Sequence, residues 1–123
     1  MIMLAQQHPD FNFVGIDYHL RSLYMGIHHA TALNLRNLRF IRADLRTFTP
    51  YMPSGSIEEA SVLFPAPIVN PKHDENDVLN APFIQQVNRT LDDNRNLLFV
   101  SDAEWYFNEK ATLADEVKYL MNK

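Results

Sequence analysis

A short apolar run set between two groups of chain-breaking residues limits this fold more than any other stretch. Pro53-Ser54-Gly55 is a turn signal, Ala60-Ser61-Val62-Leu63-Phe64 is the apolar segment, and Pro65-Ala66-Pro67 ends it. Five residues are too few for a stable helix, so the run reads as a strand buried on both faces. Prolines at 65 and 67 fix φ twice and remove two N–H donors, so the chain leaves the strand in a stiff, extended loop. In open α/β sheets, ligands bind beside the carboxyl ends of strands. The plainer alternative is that Pro-x-Pro only terminates the strand.

The stretches on either side alternate between two periods. Ile2 to Gln7 has the character of a helix end, closed by His8-Pro9-Asp10, and Phe11 to Ile16 reads as a strand ending at Asp17. From His19 to Leu33 the positions Leu20, Leu23, Tyr24, Ile27, Ala30 and Thr31 recur at three and four, the signature of an amphipathic helix, and Asn34 can close it. Leu38 to Ala43 alternates as a second strand before Asp44, and Thr47 to Gly55 reads as a loop. After the third strand comes a polar loop, Asn70 to Asp77. A helix then opens at Asn80-Ala81-Pro82 and continues through Phe83, Ile84, Val87 and Leu91. Asp92-Asp93-Asn94 is a turn, and Leu97 to Val100 is a fourth buried strand ending at Ser101-Asp102. The last helix runs from about Glu104 to Met121, with Trp105, Phe107, Leu113, Val117 and Leu120 as its expected buried side chains. Strands alternating with helices argue for βαβ units and a mainly parallel sheet in a single domain spanning 1–123.

Composition removes several function classes. The 123 residues are 46% hydrophobic with a net charge of −4, which lacks the basic footprint of a free-standing nucleic-acid binder. Without cysteine there is neither a disulfide framework nor a thiolate metal site. No apolar run approaches the roughly 18 residues of a membrane span, and the amino terminus lacks signal-peptide character, so the default expectation is a cytoplasmic protein with no membrane partner. Adjacent His28 and His29 project from different sides of a helix, no histidine pair has the helical zinc spacing, and no metal site is expected. Three glycines leave no glycine-rich phosphate loop.

Three strands end in an acid: Ile16-Asp17, Ala43-Asp44 and Ser101-Asp102. Carboxylates are acceptor-only groups suited to hydroxyl and amine donors, and in doubly wound sheets an acid at such a position commonly holds the ribose of a nucleotide. Equally, a strand-end acid can cap the following helix or face water. The loose cluster Arg36, Arg39, Arg42 and Arg46 is no firm basic patch, since Arg39 and Arg42 lie on opposite strand faces.

An ordered set of segments resembles the tRNA (guanine-N7-)-methyltransferases, a class I S-adenosylmethionine-dependent family. The set comprises Asn12 to His19, Asn34 to Arg39 with Ala43-Asp44, Ser54 to Ile57 leading to Leu63-Phe64-Pro65-Ala66-Pro67, Asn80 to Phe83, and Ser101-Asp102 with Tyr106. The resemblance implies a Rossmann-like class I methyltransferase fold, a mostly parallel sheet with helices on both faces. It implies S-adenosylmethionine as cofactor, with Asp17 at the ribose, Asp44 near the adenine, and Phe64 on the cofactor side. It implies tRNA as substrate, with Asp102 as the catalytic acid beside the target guanine and Pro65, Pro67, Lys72, His73 and Tyr106 around it.

Departures from the family pattern are equally specific. The family's loop, Phe-Pro-Asp-Pro-Trp followed by a basic run, carries Ala66 and Ile68 here, and the run has become Asn70-Pro71-Lys72-His73-Asp74-Glu75-Asn76-Asp77. Three added acids oppose phosphate binding. By the same resemblance the family's first strand, with its glycine-rich cofactor turn, precedes Met1, and its last two strands follow Lys123, so the chain reads as truncated at both ends. An unfilled sheet position then leads to direct pairing of its neighbours, to self-association, or to cover by another chain. The competing reading is a non-catalytic methyltransferase-like module that binds a partner.

Overall fold

The computed structural model describes residues 1–93 and 95–121. These residues form two compact units, Met1–Phe48 and Thr49–Lys123, each built on a two-stranded parallel sheet.

The first unit contains α1 (Ile2–Gln7), β1 (Phe13–Asp17), α2 (Leu20–Ala32), β2 (Leu38–Arg42) and α3 (Leu45–Phe48). β1 pairs with β2 from Phe13↔Leu38 to Asp17↔Arg42. Ala5, Ala30 and Leu38 form its core, with Ile2, Phe13, Leu35 and Phe40 packed against them. Asn34 stands at φ 52° and turns the chain out of α2, as its tolerance of the left-handed region predicts. Asn37 fastens the α1–β1 connection: its Nδ2 donates to the carbonyls of Ala5, His8 and Phe11 at 2.9, 3.1 and 3.0 Å. The Phe40 ring lies so close to two glycines that a Cβ at Gly15 would approach it to 2.9 Å and one at Gly26 to 2.7 Å.

The second unit contains β3 (Ala60–Leu63), α4 (Ala81–Thr90), β4 (Leu97–Val100) and α5 (Glu104–Met121), with 3-10 turns at Thr49–Tyr51 and Pro71–Asn76. β3 pairs with β4 from Ala60↔Leu97 to Leu63↔Val100. α4 starts as its sequence dictates. Asn80 accepts the Phe83 N–H at 2.9 Å, Pro82 occupies the first turn, and Phe83, Ile84, Val87 and Leu91 are all buried. Each such side chain contributes about 1.5–3 kcal/mol relative to exposure. The Arg89 guanidinium, near the end of α4, donates to Ser54 Oγ and to the carbonyls of Thr49, Pro50 and Met52. It thereby closes the 3-10 turn that the sequence reads as loop.

Several expectations are corrected. β3 and β4 are not buried on both faces: Ser61, Leu63 and Leu98 are exposed. Cover comes on one face, where Phe99 packs edge-on against Tyr106 and stacks with Phe107 of α5. In α2 only Leu23 and Ala30 are buried, while Leu20, Tyr24 and Ile27 are exposed. In α5 the buried stripe is Tyr106, Lys110 and Val117, with Leu113 partly buried, whereas Trp105 and Phe107 are exposed. Trp105 keeps an edge contact with the Tyr106 ring at 5.6 Å. Asn94 of the expected turn and the Leu120 side chain lie outside the described residues.

Candidate functional site

Parallel strands deliver their last residues to one edge, and the expected site residues stand at such edges. In the first unit Asp17 ends β1 opposite Arg42, and the chain continues through Ala43, whose N–H donates to the Asp17 carbonyl at 3.1 Å, into Asp44. Both carboxylates are engaged locally. Asp17 Oδ1 accepts from the His19 N–H at 2.8 Å, which orders the turn into α2 and leaves Oδ2 without a hydrogen bond among the described residues. Asp44 accepts the Arg46 N–H at 2.9 Å, and its two oxygens take Nε and Nη2 of the same arginine at 3.0 and 2.6 Å. Those bonds hold the Asp44 carboxyl below the ordinary aspartate range, outweighing the opposing effect of its partial burial. Capping, the plainer reading of a strand-end acid, is therefore realised at Asp44, whereas Asp17 orders the turn ahead of the α2 cap residue His19 and keeps one free acceptor.

In the second unit the ladder continues one residue past β3, with the Phe64 N–H donating to the Val100 carbonyl at 2.8 Å. Phe64 stands at φ 51° and is 63% exposed. A bulky side chain in the left-handed region is strained, and such strain concentrates at ligand-contacting turns. Pro65, Ala66 and Pro67 leave from this point, beside the end of β4 where Ser101 and Asp102 follow Val100. Ser101 Oγ accepts the Ala103 N–H at 3.1 Å and orders the entry to α5. Asp102 is exposed and makes no hydrogen bond or ion pair among the described residues, so its carboxylate is open to a donor. Lys72 and His73 are exposed on the following 3-10 turn, which is kinked at His73.

Tyr106, expected on the substrate side, is fully buried. Its hydroxyl donates to Asp77 Oδ1 at 2.5 Å, while Lys110 Nζ lies 2.9 Å from Asp77 Oδ2 and 2.9 Å from Glu109 Oε1. Burial, the Asp77 bond and the nearby carboxylate charges push the Tyr106 hydroxyl above the usual tyrosine range. For Lys110, burial favours the neutral amine, but the bonds to Glu109 and Asp77 outweigh it and hold the ammonium above its ordinary value. Sequence reasoning missed this network because Asp77 sits in an acidic polar run. The one available signal is the i, i+4 spacing of Tyr106 and Lys110 on a helix face. The network also revises the charge of the loop, since one of its three added acids is internal and paired with a lysine.

The arginine cluster offers no concerted patch: Arg39 binds the Arg36 and Leu38 carbonyls, Arg42 the Tyr18 carbonyl, and Arg46 is committed to Asp44. Among the described residues no group of three or more histidines and acids is placed to hold a metal ion, and no helix is long and apolar enough to cross a membrane.

Comparison with known proteins gives the family. Residues 1–122 match the model of a family described as "Putative methyltransferase". The chain is 32% identical over 112 residues to a tRNA (guanine-N(7)-)-methyltransferase of Rubrobacter xylanophilus, covering 91% of this chain and 50% of the relative. It is 30% identical to a protein of the same name from Chloroherpeton thalassium, covering 85% and 46%. A Bifunctional methyltransferase of Rickettsia typhi is 30% identical, covering 89% of this chain and 21% of that protein. The chain thus spans about half the length of the first two relatives. With parallel α/β units and a match along nearly its whole length, the chain belongs to this methyltransferase family.

Proposed function

We propose that this chain supplies the base-holding and part of the cofactor-holding machinery of a tRNA (guanine-N7-)-methyltransferase. The observation that carries the reading is the exposed, unbonded Asp102 at the end of β4, beside the strained Phe64-Pro65-Ala66-Pro67 turn. Support also comes from relatives of that name across nine-tenths of the chain.

S-adenosylmethionine, when bound, supplies a methyl group on a sulfonium centre. The residues present fit its nucleoside end: Asp17 Oδ2 is an open acceptor for a ribose hydroxyl, and Asp44, kept ionised by Arg46, stands on the same strand edge for an exocyclic amine. Phe64 offers an exposed ring at the start of the loop. Asp102 accepts from the N–H groups on the guanine edge and so orients N7, whose lone pair needs no general base. Catalysis of this kind is chiefly positional. Pro65 and Pro67 stiffen the loop, and Lys72 and His73 offer donors and positive charge to the tRNA backbone. Ala66 provides no carboxylate, so the base rests on Asp102 alone. Tyr106 acts from the core rather than by touching the base. We further read the chain as part of a Rossmann-like class I methyltransferase fold, whose sheet is mostly parallel with helices on both faces. Every ladder is parallel, and half-exposed Val14, Leu63 and Leu98 are what a parallel sheet normally buries.

The test is methyl transfer from labelled S-adenosylmethionine to an unmodified tRNA transcript, with this chain and with its Asp102→Asn variant. Label at guanine N7 that falls by at least about a hundredfold in the variant supports the assignment. Absence of transfer and of cofactor binding by titration calorimetry, both here and in a chain as long as the relatives, would overturn it.

A further inference from the structure

Asp77 closes the loop that begins at Phe64, and it does so from inside the protein. Its carboxylate is 2% exposed and every donor around it is fixed: Tyr106 Oη and the Leu79 N–H on Oδ1, Lys110 Nζ on Oδ2. Tyr106 and Lys110 are themselves 0% and 7% exposed, and the ammonium also lies 5.2 Å from the centre of the Tyr106 ring. Both belong to α5, which begins two residues after Asp102. At the other end of the loop, Phe64 is hydrogen-bonded to Val100, two residues before Asp102. The loop carrying Pro65, Pro67, Lys72 and His73 is therefore tied at both ends to the segment that flanks Asp102.

Stability alone does not account for such a pair. A buried aspartate–lysine contact adds little over well-packed apolar side chains, whereas three donors from two separate segments converge on this carboxylate. The geometry points to Asp77 as a positioning residue, which acts through Tyr106 and Lys110 to set how loop 65–77 lies beside Asp102. This rests on the reading of Asp102 as the group that holds the target base.

Hydrogen exchange followed by mass spectrometry, on the full chain and its Tyr106→Phe variant, tests the inference. Phenylalanine keeps the ring packing and removes only the bond to Asp77. Exchange at the His73 and Leu79 amides should rise about ten- to a hundredfold, while the β3–β4 ladder and α4 change by less than about twofold. Equal acceleration of the ladder and α4, or no change anywhere, would overturn it. Asp77→Asn, which removes the charge and keeps the shape, should give the same local pattern. Filter binding of an unmodified tRNA transcript supplies the functional arm: Tyr106→Phe should raise Kd severalfold, and equal Kd values would overturn the positioning role. If neither the unaltered chain nor one as long as its relatives binds a transcript, it is the tRNA reading that fails, and the exchange pattern still decides the role of Asp77.

Discussion

Phe64 and Gly26 show at single positions how backbone and packing compete. Phe64 holds φ at 51° with a ring that is mostly in water, so the fold gains little from the side chain and bears the strain. Phe64→Gly should leave melting temperature unchanged or raise it by a few degrees, reflecting about 1 kcal/mol of relieved strain. If the ring serves the cofactor, the same change should weaken S-adenosylmethionine binding in a calorimetric titration. Loss of both stability and binding would place the ring in the fold instead. Gly26 reverses the usual rule for helices. Alanine in a helix interior normally gains about 1 kcal/mol over glycine, but a Cβ here would meet the Phe40 ring at 2.7 Å. Gly26→Ala should therefore destabilise by about 1–3 kcal/mol, measured as a lower denaturant midpoint at unchanged slope.

At the level of elements, α4 and α5 differ in how openly their sequences declare them. The buried positions of α4 are all apolar, its cap is an asparagine, and its proline stands where a missing N–H costs nothing, so span and buried face both follow from local residues. α5 has the expected span, but its inward stripe contains Lys110, where the sequence reading names the bulky apolar Trp105 and Phe107 as buried. What makes a lysine acceptable there is Asp77, 33 positions earlier, and no local pattern reports a contact at that separation. The strand-end acids were legible as a set, whereas the prior engagement of Asp44 by Arg46 was legible only in the structure. The α5 network also fixes a pH dependence. The Tyr106 and Lys110 proton affinities are both raised by folding, so their contribution is complete below the unfolded values of 10.0 and 10.5 and declines as pH climbs beyond them. Thermal melts should be flat from neutrality to about pH 9.5 and fall above it, and Tyr106→Phe should flatten part of that decline. A fall that begins near neutrality would contradict the assignment.

For the whole molecule, each of two compact units has one covered sheet face and one bearing half-exposed Val14 or Leu63 and Leu98. Parallel ladders rarely persist in that state. The isolated chain is expected to sediment as species heavier than its 14.3 kDa monomer, in proportion to concentration. A monomer at all concentrations would show that the two faces need no cover. The contact between Trp105 and the Tyr106 ring has a consequence of another kind. Trp105 is the only tryptophan in the chain, it is half-exposed, and it stands three residues from Asp102. All indole fluorescence from this protein therefore originates three residues from the group proposed to hold the base, so binding of a purine there is expected to change that signal without any dye being attached.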